Sequence, residues 1–495
     1  MKKKLIRFFL FFVKIKNRKW KKNAIKIQNR TLLALTQKAQ KTDFGKRHKF
    51  SEIYDYESFK SRVPLREYED FKEFLFKNNV KNKTWIGSPI YYCKTSGTTS
   101  GVKFIPISKH SLSNHINSAR AAILNYMIKA SKTSLINGKM MFIQGMPTLD
   151  FHYQVPSGRL SGIVAHHVPF YLRNKRLPSY KINSTENWLE KMEGIIFETH
   201  NQNMTLIGGI PPWLIMYFEK LIKKTNKKTV LEIFPNLELL VVGGMNFAPY
   251  AERFKALLGG EVQIIEVYAA SEGFFAYQDQ LEIPELLLLI DEGIFYEFIN
   301  TKTYYSGKPE RISIEDIKLG ENYALVVNSN AGLWGYIIGD TIRFTSKDPY
   351  RIVITGRLNQ FISAFGEHLI IEEAEKAVSI LNQNSGAFIK EFHVAPKFIN
   401  DSGGLPYHEW FIEFDKHPRD IKQYELKLDM LLQEQNIYYK DLISSETLQT
   451  LKITILRNES FNNYMEDKGK LGGQNKMIRL SNNRDVANEI LKFAL

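Results

Sequence analysis

The middle of the chain alternates strand-like and helix-like segments in a regular order. Apolar runs and amphipathic stretches predict strands at 205–210, 237–242 and 262–268, with helices at 211–224 and 249–258. This βαβαβ order is typical of a parallel sheet covered by helices. Ligands of such sheets bind beyond the carboxyl ends of the strands, so the segment after residue 268 is expected to line a binding site.

The length of the chain predicts two domains. At 495 residues it exceeds what one hydrophobic core usually organises, and its 44% of apolar residues suffice for a large core. After residue 356 the pattern changes to a helix (371–381), two strands (388–394 and 408–414), a helix (419–435) and a strand (450–455). We therefore predict an α/β protein with a large N-terminal domain at 1–356, built of parallel sheet layers covered by helices, and a smaller α+β domain at 357–495.

A short loop between two strand-like runs carries the clearest functional signal. Residues 95–100 are all Thr, Ser or Gly, and they separate the apolar runs 89–93 and 103–107. Such residues let the backbone approach an anion and donate hydrogen bonds to it, and Lys103 adds a positive charge. The loop is not a Walker A motif, because Gly97 and Gly101 are too close together and Pro106 blocks a following helix. It predicts a polyphosphate clamp, with an ordinary loop as the alternative.

Two later segments extend this signal. The first, 262–273, is a strand-like run that reaches Tyr268 and continues into Ser271, Glu272 and Gly273. The second, 334–340, reads Trp-Gly-Tyr-Ile-Ile-Gly-Asp and is followed by a Gly-Arg pair at 356–357. Taken in order, the three segments resemble the Thr/Ser/Gly phosphate loop, the Tyr-x-x-Ser-Glu segment and the Tyr-x-x-Gly-Asp segment of adenylate-forming enzymes.

The resemblance is closest to the Gretchen Hagen 3 (auxin-responsive promoter) family of acyl acid–amido synthetases, and it runs almost end to end. Further matching segments lie at 41–46, 50–53, 63–69, 208–213, 296–299 and 472–479. The resemblance implies the adenylate-forming architecture with a mobile C-terminal domain, and ATP and Mg²⁺ as cofactors. It also implies a ligase that adenylates a small carboxylic acid and passes the acyl group to the amine of an amino acid. The nearest alternative passes the acyl group to coenzyme A or another acceptor.

The resemblance also assigns the nucleotide-binding residues. The ATP phosphates would be bound by the loop residues Thr95, Ser96, Gly97, Thr98, Thr99, Gly101 and Lys103. The remainder of the nucleotide would be held by Tyr268, Ser271, Glu272, Tyr336, Asp340 and Arg357. Tyr268 would stack on adenine, Glu272 would hold Mg²⁺, and Asp340 would accept both ribose hydroxyls. Tyr336 could line this pocket or belong to the core.

A lysine near the C-terminus completes the expected site. The segment 472–479 has two glycines followed by Lys476 and Arg479, and this Lys-x-x-Arg spacing is similar to the C-terminal lysine motif of the superfamily. Lys476 is therefore the expected catalytic lysine. Lys470 is the alternative, because it also precedes glycines.

The basic character of the chain is concentrated at its N-terminus. Its net charge is +16, but residues 1–42 hold fourteen Lys or Arg and no Asp or Glu, so the rest is close to neutral. This distribution argues against a nucleic-acid groove. The apolar run at 8–13 is too short to span a membrane, which takes about 20 residues. We expect a helix packed on the domain, with weak membrane-surface contact through basic residues 1–30 as the alternative.

The number of cysteines limits the kinds of structural site and the compartment that are expected. Cys93 is the single cysteine, which excludes a disulfide framework and a multi-cysteine metal site, and favours a reduced, cytoplasmic compartment. We expect a monomer. The competing class is a binding protein without enzymatic activity, which docks through its basic N-terminus on an anionic surface. The sequence does not identify the acid or the amine.

Overall fold

The computed structural model describes residues 20–76, 83–95, 102–244, 247–358, 361–365, 367, 369–398, 405–471 and 476–494. The chain forms two compact units. The first comprises Met1–Met245 with Leu257–Ile354, and the second comprises Asn246–Ala256 with Thr355–Leu495. The α/β fold expected from the sequence is confirmed.

The α-helices of the described residues are numbered in chain order. They are α1 (Ala24–Ala39), α2 (Asp43–Arg47), α3 (Tyr56–Arg62), α4 (Tyr68–Phe76), α5 (Lys109–Lys129), α6 (Leu160–Ala165), α7 (Phe170–Arg173), α8 (Tyr180–Asn183), α9 (Trp188–Thr199), α10 (Pro211–Thr225), α11 (Val230–Ile233), α12 (Ala251–Leu258), α13 (Thr301–Tyr305), α14 (Ile371–Asn384), α15 (Ile421–Gln435), α16 (Ile437–Ser444), α17 (Ser460–Asp467) and α18 (Asp485–Ile490).

The strands are numbered in the same way. They are β1 (Tyr91–Thr95), β2 (Lys103–Ile107), β3 (Lys139–Phe142), β4 (Asp150–His152), β5 (Val155–Gly158), β6 (Arg176–Leu177), β7 (Met204–Gly209), β8 (Leu239–Gly243), β9 (Gln263–Ala270), β10 (Gly273–Gln278), β11 (Leu286–Leu288), β12 (Ile294–Asn300), β13 (Arg311–Ile312), β14 (Asn322–Ser329), β15 (Tyr336–Lys347), β16 (Tyr350–Arg357), β17 (Phe361–Ile362), β18 (Leu369–Ile370), β19 (Phe388–Lys397), β20 (Tyr407–Lys416) and β21 (Lys452–Leu456).

The predicted parallel strands form one end of a large mixed sheet. Within the described residues its order is β13-β12-β14-β15-β16-β11-β10-β9-β8-β7-β3-β6. Strands β9, β8, β7, β3 and β6 run parallel to one another. The helices α10 and α12 connect β7 to β8 and β8 to β9 near the predicted positions. The other end of the sheet, from β9 to β13, contains antiparallel pairs.

A second sheet of the first unit carries the predicted phosphate loop. Its order is β2-β1-β5-β4 among the residues described. Strands β1 and β2 form an antiparallel hairpin in which Thr95 lies opposite Lys103. Strand β5 runs parallel to β1, with Gly158 opposite Cys93. The carboxyl ends of β1 and β5 therefore lie at the same edge of this sheet.

The helix α1 packs on the first unit through one face. Its buried residues recur with helical spacing and are Ala24, Gln28, Leu32, Leu35, Thr36 and Ala39. The amide of Gln28 donates to the carbonyl oxygens of Ile290 (2.8 Å) and Ile294 (2.9 Å) and accepts from the Tyr296 N–H (2.9 Å). This packing agrees with the helix expected in the basic N-terminal segment, of which residues 1–19 lie outside the described ranges. No helix within those ranges is both long and apolar enough to cross a membrane.

The second unit is an α+β structure around a small sheet. Strands β19 and β20 are antiparallel, and β21 runs parallel to β20. The helices α14, α15 and α16 pack with this sheet around a core that includes Phe392 and Trp410, both buried. The order of helix, two strands, helix and strand predicted after residue 356 is confirmed.

Candidate active site

The hairpin of β1 and β2 places two of the predicted phosphate-binding residues opposite each other. Thr95 ends β1 and Lys103 begins β2, and the two are partners in the strand register. Ser96, Gly97, Thr98, Thr99 and Gly101 lie outside the described residues. The ammonium group of Lys103 lies 5.6 Å from the centre of the Tyr68 ring, and the Phe104 N–H donates to the Tyr68 hydroxyl at 2.8 Å. Tyr68 therefore anchors the start of β2, a role that the sequence did not indicate.

The segment Ser271–Glu272 forms the tight turn between β9 and β10. Ala270 and Gly273 are partners across this turn, and both turn side chains are buried. The thiol of Cys93 donates to the Ser271 hydroxyl at 3.0 Å, which ties the turn to β1 just before the phosphate loop. Residues that are 178 positions apart in the chain are thereby brought together.

The environment of Cys93 makes its thiol unreactive. Burial raises the pKa of this thiol to about 12, and the negative charge of Glu272 acts in the same direction, while the Ser271 hydrogen bond opposes it. The thiol is therefore protonated at neutral pH, and only a thiolate is a good nucleophile. Cys93 is a structural neighbour of the turn and is poorly suited to carry an acyl group.

Tyr268 and Asp340 come together although they lie on different strands. The hydroxyl of Tyr268, on β9, donates to Asp340 Oδ2, on β15, at 2.7 Å. The Tyr268 ring is buried and lies edge-on to Phe275 at 5.0 Å between ring centres. The phenol thus orients the carboxylate that the sequence assigns to the ribose.

A bulge in β15 sets the direction of the Asp340 side chain. Ala324 of β14 pairs with Thr341, but Val326 pairs with Ile337, so extra residues of β15 lie between these pairs. Gly339 adopts a φ of +91° within the bulge, a conformation that L side chains rarely adopt. Bulges of this kind change the direction of a side chain and are frequent next to active sites.

Tyr336 lies in the core of the first unit. Its ring is 1% exposed and packs edge-on against Phe71, with 5.7 Å between ring centres. Of the two roles that the sequence left open, the structure favours core packing.

Arg357 and Lys476 belong to the second unit. Arg357 ends β16, directly after Gly356, whose φ is +143°. Lys476 is exposed and is the first described residue after the glycine pair. Lys470, the alternative catalytic lysine, is also exposed and follows α17.

The residues after Lys476 are firmly held. The carbonyl of Ile478 accepts from His393 Nδ1 at 2.6 Å, and the carbonyl of Arg479 accepts from the Val394 N–H at 2.7 Å. The Arg479 guanidinium is buried and pairs with Glu391 and Glu375, each at 2.6 Å. Lys476 therefore precedes a clamped segment, so its backbone position is defined on one side.

Solved structures define the class of protein to which this fold belongs. The chain is similar to an acyl acid amido synthetase named GH3.15, with a TM-score of 0.78, 15% identity and 96% and 94% of the two chains covered. It is also similar to a 2-hydroxyisobutyryl-CoA ligase captured in its postadenylation state, with a TM-score of 0.65, 12% identity and coverages of 95% and 92%. The fold is that of the adenylate-forming ligases.

The particular family follows from the sequence comparisons. The GH3 family N-terminal domain matches residues 15–150 and 146–264, the GH3 family central domain matches 287–357, and the GH3 family C-terminal domain matches 372–485. The chain belongs to the GH3 family, as the resemblance of its motifs indicated. A relative from Arabidopsis thaliana, the probable indole-3-acetic acid-amido synthetase GH3.1, is 25% identical over 274 residues. That match covers 52% of this chain and 45% of the relative, so the chain spans less than half of its length.

Proposed function

We propose that this protein is an ATP-dependent acyl acid–amido synthetase. It adenylates a small carboxylic acid and passes the acyl group to the amine of an amino acid, releasing AMP. One observation carries the proposal: three motif segments that are far apart in the sequence meet in the first unit. The Cys93–Ser271 and Tyr268–Asp340 hydrogen bonds join the phosphate-loop hairpin, the Ser-Glu turn and the bulge of β15. Membership of the GH3 family supports the same conclusion.

The first half-reaction is the attack of a carboxylate oxygen on the α-phosphorus of ATP. A new P–O bond forms, the bond to pyrophosphate breaks, and the products are an acyl-adenylate and pyrophosphate. The protein has to hold two anions together and neutralise the charge that develops. We assign this role to the donors of residues 95–101, to Lys103, and to Lys476 of the second unit.

Glu272 is suited to hold the Mg²⁺ that accompanies ATP. Its carboxylate is buried in the turn after β9, and Mg²⁺ is usually bound by one or two carboxylates together with substrate phosphates. When bound there, the ion would supply positive charge to the phosphates.

The nucleoside is assigned to the neighbouring residues. Asp340 accepts a hydrogen bond from Tyr268, and an ionised carboxylate can accept further bonds from ribose hydroxyls. The phenol of Tyr268 keeps this carboxylate in place, while its ring contributes a flat surface beside the turn. Arg357, at the end of β16, keeps the ATP-binding role that the resemblance implies.

The second half-reaction forms the amide. The amine of an amino acid attacks the acyl carbon, a C–N bond forms, the C–O bond to AMP breaks, and the amine loses a proton to solvent. No acyl carrier on the protein is needed, in agreement with the protonated thiol of Cys93. We place the protein in the cytoplasm, where ATP is available and its single cysteine stays reduced, and we propose that it is a monomer.

Transfer to coenzyme A is the second candidate. The fold similarity to a CoA ligase, with a TM-score of 0.65, favours it as the alternative. Mass spectrometry of reactions with ATP, Mg²⁺, a panel of acids, and either mixed amino acids or coenzyme A separates the two. An amide together with AMP supports the proposal, whereas a thioester with AMP selects the alternative. Formation of ADP and phosphate would contradict both.

A further inference from the structure

Arg159 places an unpaired cation beside the phosphate-loop hairpin. It follows β5 directly, and its neighbour Gly158 lies opposite Cys93 in the parallel pair of β5 and β1. Its Nη1 atom is fully buried and has no hydrogen-bond partner among the residues described. Burial lowers the pKa of the guanidinium, but an arginine keeps its charge at neutral pH. A buried donor without a partner costs about 1–3 kcal/mol, and more when it is charged.

The strand pairing of β5 and β1 brings Arg159 towards the strand that contacts the Ser-Glu turn. Burial is the main influence on the Cys93 thiol and raises its pKa, while the positive charge of Arg159 opposes this rise. The strand register places Arg159 one residue beyond Gly158, the partner of Cys93, whose thiol contacts Ser271 at 3.0 Å. Arg159 thus lies near the segment that the proposed function assigns to the nucleotide.

A second donor without a partner belongs to the residue that precedes Gly145, whose backbone the Arg159 side chain contacts. The amide Nε2 of Gln144 is buried and lacks a partner in the described part of the chain. Gly145 follows Gln144, and a Cβ atom added to Gly145 would lie only 2.9 Å from Arg159 Cδ. The aliphatic part of the Arg159 side chain therefore packs directly on the backbone of this glycine, the residue that follows Gln144.

A second buried cation contacts the backbone of Gln144. Lys191 of α9 is 1% exposed, and its ammonium donates to the carbonyl oxygens of Gln144 (2.9 Å) and Asn183 (2.7 Å). Burial lowers the pKa of Lys191 to about 8, so most of its population is charged at neutral pH. Within the described ranges no carboxylate pairs with either Lys191 or Arg159. The pair therefore creates a region of positive potential with two donors that lack partners.

This chemistry fits a carboxylate. A guanidinium binds a carboxylate with two parallel hydrogen bonds, and an amide N–H adds a third donor. We propose that Arg159 and Gln144 form the recognition site for the carboxylate of the acyl acid. The inference deepens the proposed function and depends on it. It gives Arg159 the task of holding the acid beside the nucleotide before the carboxylate attacks the α-phosphorus.

Two variants at this site and one control test the inference. Arg159→Met removes the charge, and Gly145→Ala keeps it but pushes against the Arg159 side chain. Arg176→Met is the matched control, because Arg176 is another arginine of the first unit whose pKa burial lowers, on β6 at the end of the large sheet. Thermal unfolding checks that each variant is folded. If Arg159→Met fails to fold, Arg159→Lys replaces it, since lysine keeps the charge but not the two-pronged geometry.

The readout is carboxylate-dependent exchange of labelled pyrophosphate into ATP, with benzoate, indole-3-acetate and hexanoate as probes and without any amine. Arg159→Met should raise the KM for the acid about 10- to 100-fold, the range expected for a lost charged hydrogen bond. The KM for ATP should stay within about twofold. Arg176→Met should change neither constant, because Arg176 pairs with Met140 of β3 and is not one of the proposed donors. Gly145→Ala should raise the KM for the acid by less than Arg159→Met. A raised KM for ATP with an unchanged KM for the acid would overturn the inference, because the guanidinium would then serve a phosphate.

Calorimetric titration of the full chain with the same three acids, without ATP, separates this inference from the proposed function. Binding that is lost in Arg159→Met and kept in Arg176→Met supports the carboxylate site even if no exchange occurs. Exchange in the wild type without any effect of Arg159→Met refutes the site and leaves the proposed function intact. Absence of both binding and exchange refutes both.

Discussion

At the scale of single residues, the candidate site depends on side chains that orient other side chains. Asp340 is directed by a bulge and held by a phenol, and Ser271 is held by a buried thiol. Such supporting contacts keep a binding group within the narrow geometry that its ligand requires. Their removal should therefore affect binding more than folding.

The phenol of Tyr268 gives the first prediction. Tyr268→Phe keeps the buried ring but removes the hydroxyl that donates to Asp340 at 2.7 Å. We expect the KM for ATP to rise about fivefold to tenfold, which corresponds to about 1 to 1.4 kcal/mol. Initial-rate kinetics of pyrophosphate exchange provide the measurement. Tyr277→Phe, which alters a buried tyrosine of β10, is the control and should leave this KM unchanged. Equal effects of the two variants would refute the role of the hydroxyl.

Gly339 gives the second prediction at this scale. With a φ of +91° and open space where a Cβ atom would lie, Gly339→Ala is strained by its backbone conformation and not by a clash. We expect it to lower the free energy of unfolding by about 1–2 kcal/mol and to raise the KM for ATP, because relaxation of the bulge turns Asp340. Urea denaturation and exchange kinetics measure the two effects.

Gly386→Ala is the matched control for that experiment. Gly386 has a φ of +68° and equally open surroundings, and it lies in the second unit. Gly386→Ala should lower the free energy of unfolding by a similar amount, with no change in the KM for ATP. A loss of nucleotide affinity in both variants would mean that the bulge has no specific function.

At the scale of elements, single buried polar residues fix the position of a segment on the rest of its unit. Hydrophobic contacts alone would leave that position poorly defined. The helix α1 is one such segment, and the residues after Lys476 are another. Each is held by hydrogen bonds to backbone groups, which would be costly to leave buried and unpaired.

The docking of α1 should depend on Gln28. Gln28→Leu keeps a side chain of similar size but abandons three hydrogen bonds with the backbone of residues 290–296. We expect the free energy of unfolding to fall by about 2–4 kcal/mol, because buried backbone groups lose their partners. Gln37→Leu, at an exposed position of the same helix, should change it by less than about 0.5 kcal/mol. Chemical denaturation followed by circular dichroism measures both, and equal stability of the two variants would contradict the assigned role.

The segment after Lys476 should be sensitive to acid through His393. Burial lowers the pKa of this imidazole to about 4, from an ordinary value of 6.5, although the hydrogen bond to Ile478 acts in the opposite direction. Between these two pH values the unfolded chain binds a proton that the folded chain excludes. Stability is therefore lost as the pH falls from 6.5 towards 4, with a slope of at most about 1.4 kcal/mol per pH unit.

The variant His393→Asn isolates this effect, because asparagine can still donate to the Ile478 carbonyl but does not titrate. The difference in free energy of unfolding between wild type and variant should shrink steadily as the pH falls from 6.5 to 4, because only the wild type loses this term. Urea denaturation at several pH values measures it. A difference that is constant with pH would exclude His393 as the titrating group.

At the scale of the whole molecule, the sequence predicted the parts of the fold whose patterns are local. The strand–helix alternation between β7 and β9 and the order of elements after residue 356 could be read from periodicity and spacing. The antiparallel part of the large sheet could not, because strands such as β12 are buried on both faces and show no alternation of apolar and polar residues.

The candidate site was predictable only in part, for a related reason. Its motif segments could be recognised one by one, but the contacts between them join residues that are 72 and 178 positions apart. Arg159 and Gln144 belong to no recognised motif, and only the absence of partners within the described residues draws attention to them. Tyr68 was missed because anchoring a strand leaves no pattern in the sequence.

The central claim is that this chain activates a carboxylic acid by adenylation. The most direct test is acid-dependent exchange of labelled pyrophosphate into ATP, across aromatic, aliphatic and hydroxy acids, with the wild type and with Lys476→Ala. We expect exchange by the wild type with at least one class of acid and without any amine. We also expect that Lys476→Ala loses exchange by at least about 100-fold while binding ATP nearly as well, because its ammonium acts on the transition state. ATP binding by the wild type without exchange for any acid would contradict the account.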